Sequence, residues 1–403
     1  MRPGTLLLRS VWRTIFVALA ICNTLTFSQT LKVLHTFNQT DGEFPNGLIH
    51  GSDGNFYGTT FGGGTVGCGT VFKISPSGAF TSIYSFNEFV GNDGCLPTSP
   101  VIRDAAGNLY GTTTSGGAYN AGTVFKINSS GQESVLYAFT GGADGGGPYA
   151  GVVRDSKGNL YGTALAGGNL GCYPFTNGYC GTVFKIDISG HETVVHAFMG
   201  GADGSNPFGG VVIDSDGNLY GTTELGGGGQ SAGTLFKIDP SGNETVLYDF
   251  DSYTGDGNSP RTSLAFGPGK ILYGTTYVGG DVNDCPPYGC GTVFKTDTQG
   301  NEAVVHAFAG GTSDGAIPGA PVDTDKAGNV YGAANSGGIS QAYGLVYKLD
   351  PAGTETILHY FTNGADGAYP SGRLYVNSQG VVFGTASGGN NNTGYGVVYK
   401  ITP

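Results

Sequence analysis

Aspartate recurs in this chain at a position where a carboxylate could do chemistry. The motif Asp-Gly-x-x-Pro occurs seven times, beginning at Asp41, Asp93, Asp144, Asp203, Asp256, Asp314 and Asp366. In one interpretation each aspartate forms a tight turn, in which glycine takes a positive φ and proline starts the next strand. In the other interpretation, the repeats close into a circle. The seven carboxylates then form a ring around one mouth of its central channel, where they could attract a cation. Calcium needs six to eight oxygens in one place, so one carboxylate per repeat favours the turn.

Histidine and lysine also recur, in patterns that indicate packing. One position alternates between histidine and tyrosine: His35, Tyr84, Tyr137, His196, Tyr248, His306 and His359. The exchange suits a ring with a polar end rather than a metal ligand or a base. Another position is always lysine, whose stem we expect between neighbouring sheets with its amine in water: Lys73, Lys126, Lys185, Lys237, Lys295, Lys348 and Lys400. Neither a Ser-His-Asp spacing nor HExxH occurs, so we predict no catalytic residue, metal or cofactor.

Cysteines mark two insertions that the other repeats lack. Their sequences are Cys-Tyr-Pro-Phe-Thr-Asn-Gly-Tyr-Cys at 172–180 and Cys-Pro-Pro-Tyr-Gly-Cys at 285–290. We predict a disulfide within each loop, Cys172–Cys180 and Cys285–Cys290. The loops carry aromatic side chains that are candidates for contacting a sugar or a protein: Tyr173, Phe175, Tyr179 and Tyr288. The alternative is that a longer loop only needs a covalent brace.

The elements that position these residues come from an internal repeat. A segment of the type GNLYGTT recurs seven times at intervals of 51 to 59 residues, and a segment of the type GTVFKI follows each copy. A β-rich run, the Asp-Gly-x-x-Pro motif and a short apolar strand complete the unit. Four short strands per unit, separated by glycine, aspartate, asparagine and proline, are typical of a propeller blade. The sequence therefore predicts an all-β protein, a seven-bladed β-propeller.

The fourth unit illustrates the predicted strand order within a blade. Val211–Ile213 is expected innermost, followed by Leu219–Thr223 and Thr234–Ile238, with 244–250 outermost. The last unit lacks its outermost strand, whereas residues 31–37 form such a strand without a blade. Pairing the two would close the ring and remove an exposed sheet edge.

This strand order also predicts a third disulfide. Cys68 lies just before the third strand of its blade, and Cys95 lies on the connection that leaves the same blade. The loop before the third strand and the connection between blades should lie on one face of the propeller. A disulfide needs Cα atoms within about 7 Å, which loops on one face can satisfy. We therefore predict Cys68–Cys95.

Residues 1–30 read as a signal peptide that precedes a single domain at residues 31–403. Arg2, Arg9 and Arg13 form a basic start, and the apolar run from residue 14 to about residue 27 is shorter than the roughly 20 residues that span a bilayer. Ile21 makes Cys22 a poor lipoprotein site. We expect a monomer that is secreted, periplasmic or on the cell surface, with no membrane span in the mature chain.

Charge excludes one class of partner. The net charge is −12, and without residues 1–30 it is −15, from 15 Lys+Arg against 30 Asp+Glu. Such an acidic chain is a poor match to a polyanion, so nucleic acid is not an expected partner.

The GNLYGTT and GTVFK segments resemble the GloVer tandem repeat of the "choice-of-anchor" group of exported bacterial proteins. The resemblance extends over essentially all of residues 31–403 and implies an exported, propeller-like protein. It implies no activity and no catalytic residues. Members of the group that end in a sorting domain differ from this chain, whose sequence ends at the last repeat strand.

Uniform repeats without a catalytic arrangement favour a recognition or scaffold module with an unknown glycan or protein ligand. An enzyme that acts on an extracellular polysaccharide or peptide at the channel mouth is the first alternative. It would need paired acids or a His–Tyr cluster contributed by different blades. A purely structural envelope protein is the second alternative.

Overall fold

Among the described residues, seven antiparallel sheets of four strands each are arranged as a β-propeller, as predicted, and three two-stranded sheets lie outside the blades. The computed structural model describes residues 29–168, 180–228, 231–251, 255–338, 343–389 and 394–403. Residues 1–28 of the predicted signal peptide lie outside the described residues. Within them, no helix is both long and apolar enough to cross a membrane.

The strands are, in chain order, β1 Thr30–Thr36, β2 Glu43–His50, β3 Phe56–Gly62, β4 Thr70–Ile74, β5 Phe80–Ser85, β6 Gly94–Cys95, β7 Ile102–Arg103, β8 Leu109–Thr113, β9 Ser115–Gly116, β10 Thr123–Ile127, β11 Glu133–Ala138, β12 Val153–Arg154, β13 Leu160–Ala164, β14 Thr182–Ile186, β15 Glu192–Ala197, β16 Val212–Ile213, β17 Leu219–Thr223, β18 Thr234–Ile238, β19 Glu244–Asp249, β20 Gly257–Asn258, β21 Ala265–Phe266, β22 Leu272–Thr276, β23 Val278–Gly279, β24 Thr292–Thr296, β25 Glu302–Ala307, β26 Gly315–Ala316, β27 Asp323–Thr324, β28 Val330–Ala334, β29 Ser336–Gly337, β30 Leu345–Leu349, β31 Glu355–Tyr360, β32 Tyr375–Val376, β33 Val382–Ala386 and β34 Val397–Thr402. One 3-10 turn spans Pro268–Lys270.

Each blade follows the predicted strand order. In the fourth blade the sheet order is β16-β17-β18-β19, which reproduces the predicted sequence of strands from the axis outwards. The innermost strand has only two residues in six of the blades, and β2 in the first blade has eight. The outermost strand carries a β-bulge in each blade, for example where Val124 pairs with Tyr137 but Phe125 pairs with Val135.

The two ends of the chain close the ring. β1 pairs antiparallel with β34, from Thr30 opposite Thr402 to Thr36 opposite Val397. The last sheet therefore has the order β1-β34-β33-β32, with its outermost strand supplied from the other end of the chain. This confirms the predicted closure and leaves neither end as an unpaired edge.

The core lies between neighbouring blades and explains the glycine in the segment YGT. Phe184 is fully buried, pairs across the ladder with Gly162, and contacts Phe139 of the preceding blade at a ring distance of 5.0 Å. A Cβ on Gly162 would lie 2.5 Å from the Phe184 ring. Glycine is needed here because the ring crosses the backbone at van der Waals distance.

Connections between blades share one face with the loops that precede the third strands. The amide of Leu96, on the connection, donates to the carbonyl of Cys68 at 2.9 Å. Cys95 is joined to Cys68 by a disulfide with a Cα–Cα distance of 4.6 Å, which confirms the predicted pair. Cys285 and Cys290 are also joined, as predicted. Cys172 lies outside the described residues, so Cys172–Cys180 stays a prediction.

Candidate ligand-binding site in the central channel

A cavity of about 690 Å³ lies on the propeller axis, and residues from each of the seven blades line it. Its wall is made of innermost strands, the residues that lead into them, and residues at the ends of second strands such as Tyr277 and Asn335. These lead-in residues belong to the connections between blades, so the cavity opens on the face that carries those connections. A concave space of this size at the centre of the fold is the natural candidate for a binding site.

One position of the repeat supplies a lining residue from every blade. It is the residue after the proline of Asp-Gly-x-x-Pro: Asn46, Thr98, Tyr149, Phe208, Arg261, Gly319 and Ser371. The residue before that proline has a positive φ in each blade, including Ile317 at 57° and Tyr369 at 56°. This uncommon conformation turns the connection towards the axis. The framework therefore repeats while the residues that it presents differ.

Three blades contribute an aromatic and cationic cluster to this wall. The rings of Tyr149 and Phe208 lie 4.2 Å apart with an interplanar angle of 49°. The guanidinium carbon of Arg261 lies 5.7 Å from the centre of the Phe208 ring and 4.3 Å from that of Tyr277. Stacking of this kind holds the flat guanidinium group in a defined plane. Burial raises the pKa of the Tyr149 hydroxyl, and the nearby charge of Arg261 opposes that shift.

The buried carboxylate of Glu224 pairs with Arg261 and holds its guanidinium in place. Glu224 is only 8% exposed and accepts a hydrogen bond from Nε of Arg261 at 2.8 Å, and Nη2 donates to the same carboxylate oxygen. Glu224 is absent from the cavity wall. Pairing satisfies a charge that would otherwise be costly to bury. It also orients the arginine, because both the ion pair and the aromatic rings define where the guanidinium lies.

The rest of the wall is rich in hydroxyl and amide groups. Arg373 is a second cation, and its guanidinium lies 3.3 Å from Asp323. Ser263 and Ser371 also line the cavity. The buried Oδ1 atom of Asn335, in the same wall, has no hydrogen-bond partner among the described residues. An unpaired buried acceptor is costly unless a ligand or water donates to it.

The aromatic loops proposed from the sequence lie elsewhere or outside the described residues. Tyr288 is 69% exposed and does not line the cavity. Tyr173, Phe175 and Tyr179 lie outside the described residues. The structure therefore does not bring Tyr288 together with the channel cluster.

The motif aspartates lie beside the outermost strands, where each contacts the residue at the His/Tyr position. The seven contacts measure 2.7 to 3.5 Å and are His35–Asp41, Tyr84–Asp93, Tyr137–Asp144, His196–Asp203, Tyr248–Asp256, His306–Asp314 and His359–Asp366. Asp93 also accepts from the amides of Asn87 and Gly94, at 2.8 and 2.7 Å. These bonds are those of a turn that also ties the connection to the blade.

A glutamate of the following blade faces the motif aspartate at five blade interfaces. The pairs are Asp93–Glu133, Asp144–Glu192, Asp203–Glu244, Asp256–Glu302 and Asp314–Glu355. Burial, with the facing aspartate as a further cause, raises the pKa of Glu133 to about 7. In its neutral form the glutamate does not repel the nearby carboxylate. At the interface after β1 the glutamate is replaced by Phe80, whose ring stacks on His35 at 3.8 Å.

Within the part of the chain that the structure describes, two groups of side chains have metal-ligand atoms close together. Cys68 and Cys95 lie near Glu88, but their sulfurs are joined to each other and offer no thiolate. His306, Asp314 and Glu355 have ligand atoms within 4.8 Å of one another. Burial alone would lower the pKa of His306, but Asp314 raises it above its ordinary value. Burial and Asp314 raise the pKa of Glu355 to about 7. Both shifts favour protons over a cation in this cluster.

The recurring lysines lie against the aromatic residue of the YGT segment. Lys126 pairs across the ladder with Tyr110, and its amine lies 5.8 Å from the centre of that ring. The same contact joins Lys185 to Tyr161 at 5.9 Å. Four of the seven lysines therefore contact rings of their own blades, and the cavity lining includes none of the seven: the four are Lys126, Lys185, Lys237 and Lys348.

Sequence reasoning missed Tyr149, Phe208, Arg261 and Tyr277 as site residues. The signal that could have found them was variation at one position within a constant repeat, because the residue after the motif proline differs in every blade. Glu224 occupies the position that Tyr277 holds in the next blade, so the same signal marks it too.

Comparison with known proteins agrees with the repeat and the fold. The profile of the Gloeobacter/Verrucomicrobia repeat matches residues 21–212 and 171–286. No curated protein sequence matches the chain. Among solved structures, the chain is similar to the extracellular domain of a protein described as a one-component system from B. thetaiotaomicron. The TM-score is 0.56 at 10% identity, over 91% of this chain and 40% of that chain. At that identity the likeness shows the fold alone.

A second similar structure is a Bacteroides uniformis protein described as a 6-phosphogluconolactonase. It has 15% identity and a TM-score of 0.48, over 85% of this chain and 89% of that chain. The repeat profile is the more informative finding, since it matches well over half of the chain and does so in tandem. The chain belongs to the Gloeobacter/Verrucomicrobia repeat family.

Proposed function

We propose that this protein is an exported recognition module of the bacterial envelope or extracellular space, and that its ligand binds in the cavity on the propeller axis. One observation carries the proposal. At every blade the residue after the motif proline lines the cavity, and these residues differ while the surrounding framework repeats. A site grafted onto a symmetric scaffold requires such asymmetry.

The chemistry of the wall favours binding over catalysis. Among the described residues that line the cavity there is no histidine, aspartate or glutamate. An enzyme that cleaves a polysaccharide or peptide by acid–base chemistry needs such groups beside the reacting atoms. The nearby Glu224 is committed to Arg261. Aromatic rings, hydroxyl groups and a fixed guanidinium instead suit the recognition of a glycan or protein ligand.

Export is supported by the basic and apolar character of residues 1–30 and by the disulfides at Cys68–Cys95 and Cys285–Cys290. The test is expression of the full chain in a bacterial host, followed by N-terminal sequencing of the protein in each compartment. We expect a mature protein outside the cytoplasm that begins close to residue 30. A protein retained in the cytoplasm with residues 1–30 intact would contradict export.

Ligand binding is tested with glycan and peptidoglycan arrays, which compare the wild type with two variants. The double variant Tyr149→Ala/Phe208→Ala removes the aromatic wall of the cavity, and Tyr288→Ala removes an exposed aromatic residue outside it. We expect the double variant to lose binding and Tyr288→Ala to keep it. The opposite result would place the ligand at the inserted loop.

Two further outcomes address the alternatives. Mass spectrometry of array ligands after incubation would reveal bond cleavage if the protein were an enzyme. An exported protein that binds no array component would favour the purely structural role and would contradict a recognition function for the cavity.

A further inference from the structure

The charged residues of the cavity wall are positive, whereas the chain as a whole is acidic. The chain carries 30 acidic against 18 basic residues, yet among the described residues the cavity wall contains two arginines and no acid. Only four arginines follow residue 30, so half of them line this one space. Fixed positive groups in a concave, partly desolvated site favour an anion over a neutral or cationic ligand.

Arg261 is presented in a form suited to a carboxylate. Its bonds to Glu224 use Nε and Nη2, which leaves Nη1 outside the ion pair. The side chain keeps 35% exposure and is fixed by the rings of Phe208 and Tyr277. A guanidinium that is already ordered loses little entropy when it binds an anion, and its planar donors match the oxygens of a carboxylate.

The rest of the cavity wall offers an apolar surface and hydrogen-bonding groups beside the arginines. Tyr149 and Phe208 form an apolar surface beside Arg261. Ser263 and Ser371 add hydroxyl groups to the wall. The buried Oδ1 of Asn335 has no partner among the described residues and can accept a hydrogen bond from a ligand. A sugar ring supplies both features, because its C–H face is apolar and its edge carries hydroxyl donors. The cavity volume of about 690 Å³ is far larger than a single inorganic anion needs.

We infer that the cavity binds an acidic oligosaccharide, with a sugar carboxylate on Arg261 and a sugar ring against Tyr149 and Phe208. This inference rests on the proposed recognition function and specifies its ligand class. Arg373, held beside Asp323, offers a second cationic point on the wall for a further carboxylate of the same chain.

The experiment compares two probes that share one sugar skeleton and carry either charged carboxylates or neutral methyl esters. Trigalacturonate carries free carboxylates, and its fully methyl-esterified form has the same skeleton without them. Calorimetric titration of the wild type should give at least tenfold tighter binding of the free acid, and the preference should weaken as salt is added. The double variant Arg261→Gln/Glu224→Gln removes both members of the ion pair, so that no lone charge is left buried. It should lose the preference for the acid.

Controls separate charge recognition from folding. Arg103→Gln removes an arginine that stacks on Tyr57 away from the cavity, so the preference should persist. Ser371→Asp introduces a carboxylate into the wall and should weaken binding of the free acid far more than the neutral replacement Ser371→Asn does. Thermal melting verifies that each variant is folded. If the Arg261→Gln/Glu224→Gln variant does not fold, the Ser371 pair supplies the decisive comparison.

The outcomes distinguish this inference from the function on which it rests. Equal binding of the acid and its ester would overturn the acidic ligand class and leave recognition of sugars in place. Binding of a triglutamate peptide as tightly as trigalacturonate would overturn the assignment to a saccharide. Absence of binding to either uronate probe, while the array identifies another ligand for the cavity, would reject the inference alone. Absence of binding in both experiments would reject the proposed function as well.

Discussion

Replacement of Glu133 by glutamine should make the protein more stable at pH 8 but not at pH 4. Glu133 begins the outermost strand of the second blade and faces Asp93 on the connection from the first blade. Asp93 is 5% exposed and already accepts hydrogen bonds from the Tyr84 hydroxyl and two backbone amides. A neutral Glu133 avoids repulsion from Asp93, whereas an ionised Glu133 adds a second negative charge near it.

The sign and size of the effect follow from the pKa of Glu133. Burial and Asp93 raise it from 4.5 to about 7, so the folded protein binds more protons than the unfolded chain between these values. Its stabilising contribution is therefore complete below pH 4.5 and is lost as the pH rises through 7. The full shift corresponds to about 3.4 kcal/mol. Because Glu133 is only half-buried, solvent screening reduces this to about 1–2 kcal/mol.

Urea unfolding at pH 4, 6 and 8 measures the effect. Glutamine keeps the shape but cannot ionise, so the Glu133→Gln variant should match the wild type at pH 4 and exceed its unfolding free energy by about 1–2 kcal/mol at pH 8. Glu88→Gln, at an exposed position shortly after β5, is the matched control for the loss of one carboxylate. A variant that is less stable than the wild type at pH 8, or a difference independent of pH, would refute the carboxyl pair.

Three other predictions concern the framework. Deleting residues 30–36 should expose the edge of β34, lower the melting temperature and promote self-association in size-exclusion chromatography; a truncated protein that melts and elutes like the parent contradicts closure by the termini. Tyr347→Phe should raise the unfolding free energy by about 1 kcal/mol in urea titration, because the buried Tyr347 hydroxyl has no hydrogen-bond partner among the described residues. Phe294→Tyr, at the equivalent position of another blade, should lower the unfolding free energy. The reverse order of stabilities would contradict the unpaired hydroxyl. Non-reducing peptide mapping should find Cys172 joined to Cys180, and a free Cys172 would exclude that pair.

The fold could be predicted from the sequence because the same turn residues and strand patterns recur in each repeat. The glycine of the YGT segment, for example, is required by the close approach of an aromatic ring, as Phe184 approaches Gly162. The unmatched strand at residues 31–37 indicated closure, and β1 pairs with β34 as that reasoning required. Cys68–Cys95 followed from placing two loops on one face, which the hydrogen bond from Leu96 to Cys68 bears out. All these inferences use contacts within a blade or between adjacent blades.

The His/Tyr position shows where such local reasoning becomes incomplete. The exchange of histidine and tyrosine suggested packing, and His35 does contact Phe37 at a ring distance of 4.8 Å. The sequence did not reveal that the same ring also contacts Asp41 of the following turn. Nor did it indicate that Glu133 of one blade lies near Asp93 of the preceding connection, because the two residues belong to different blades and no motif links them.

The channel site was harder to predict because its residues meet only when the ring is closed. Tyr149 and Arg261 belong to the third and fifth blades, and no short spacing in the sequence links them. Both residues line the cavity because each follows a motif proline, and the residue before that proline has a positive φ. Packing between blades constrains the framework, but it places little demand on a side chain that points into the channel. Variation can therefore accumulate at that position without loss of the fold. In a propeller built from near-identical blades, such positions are where a specific ligand can be recognised, and here they combine aromatic rings with an arginine fixed by Glu224.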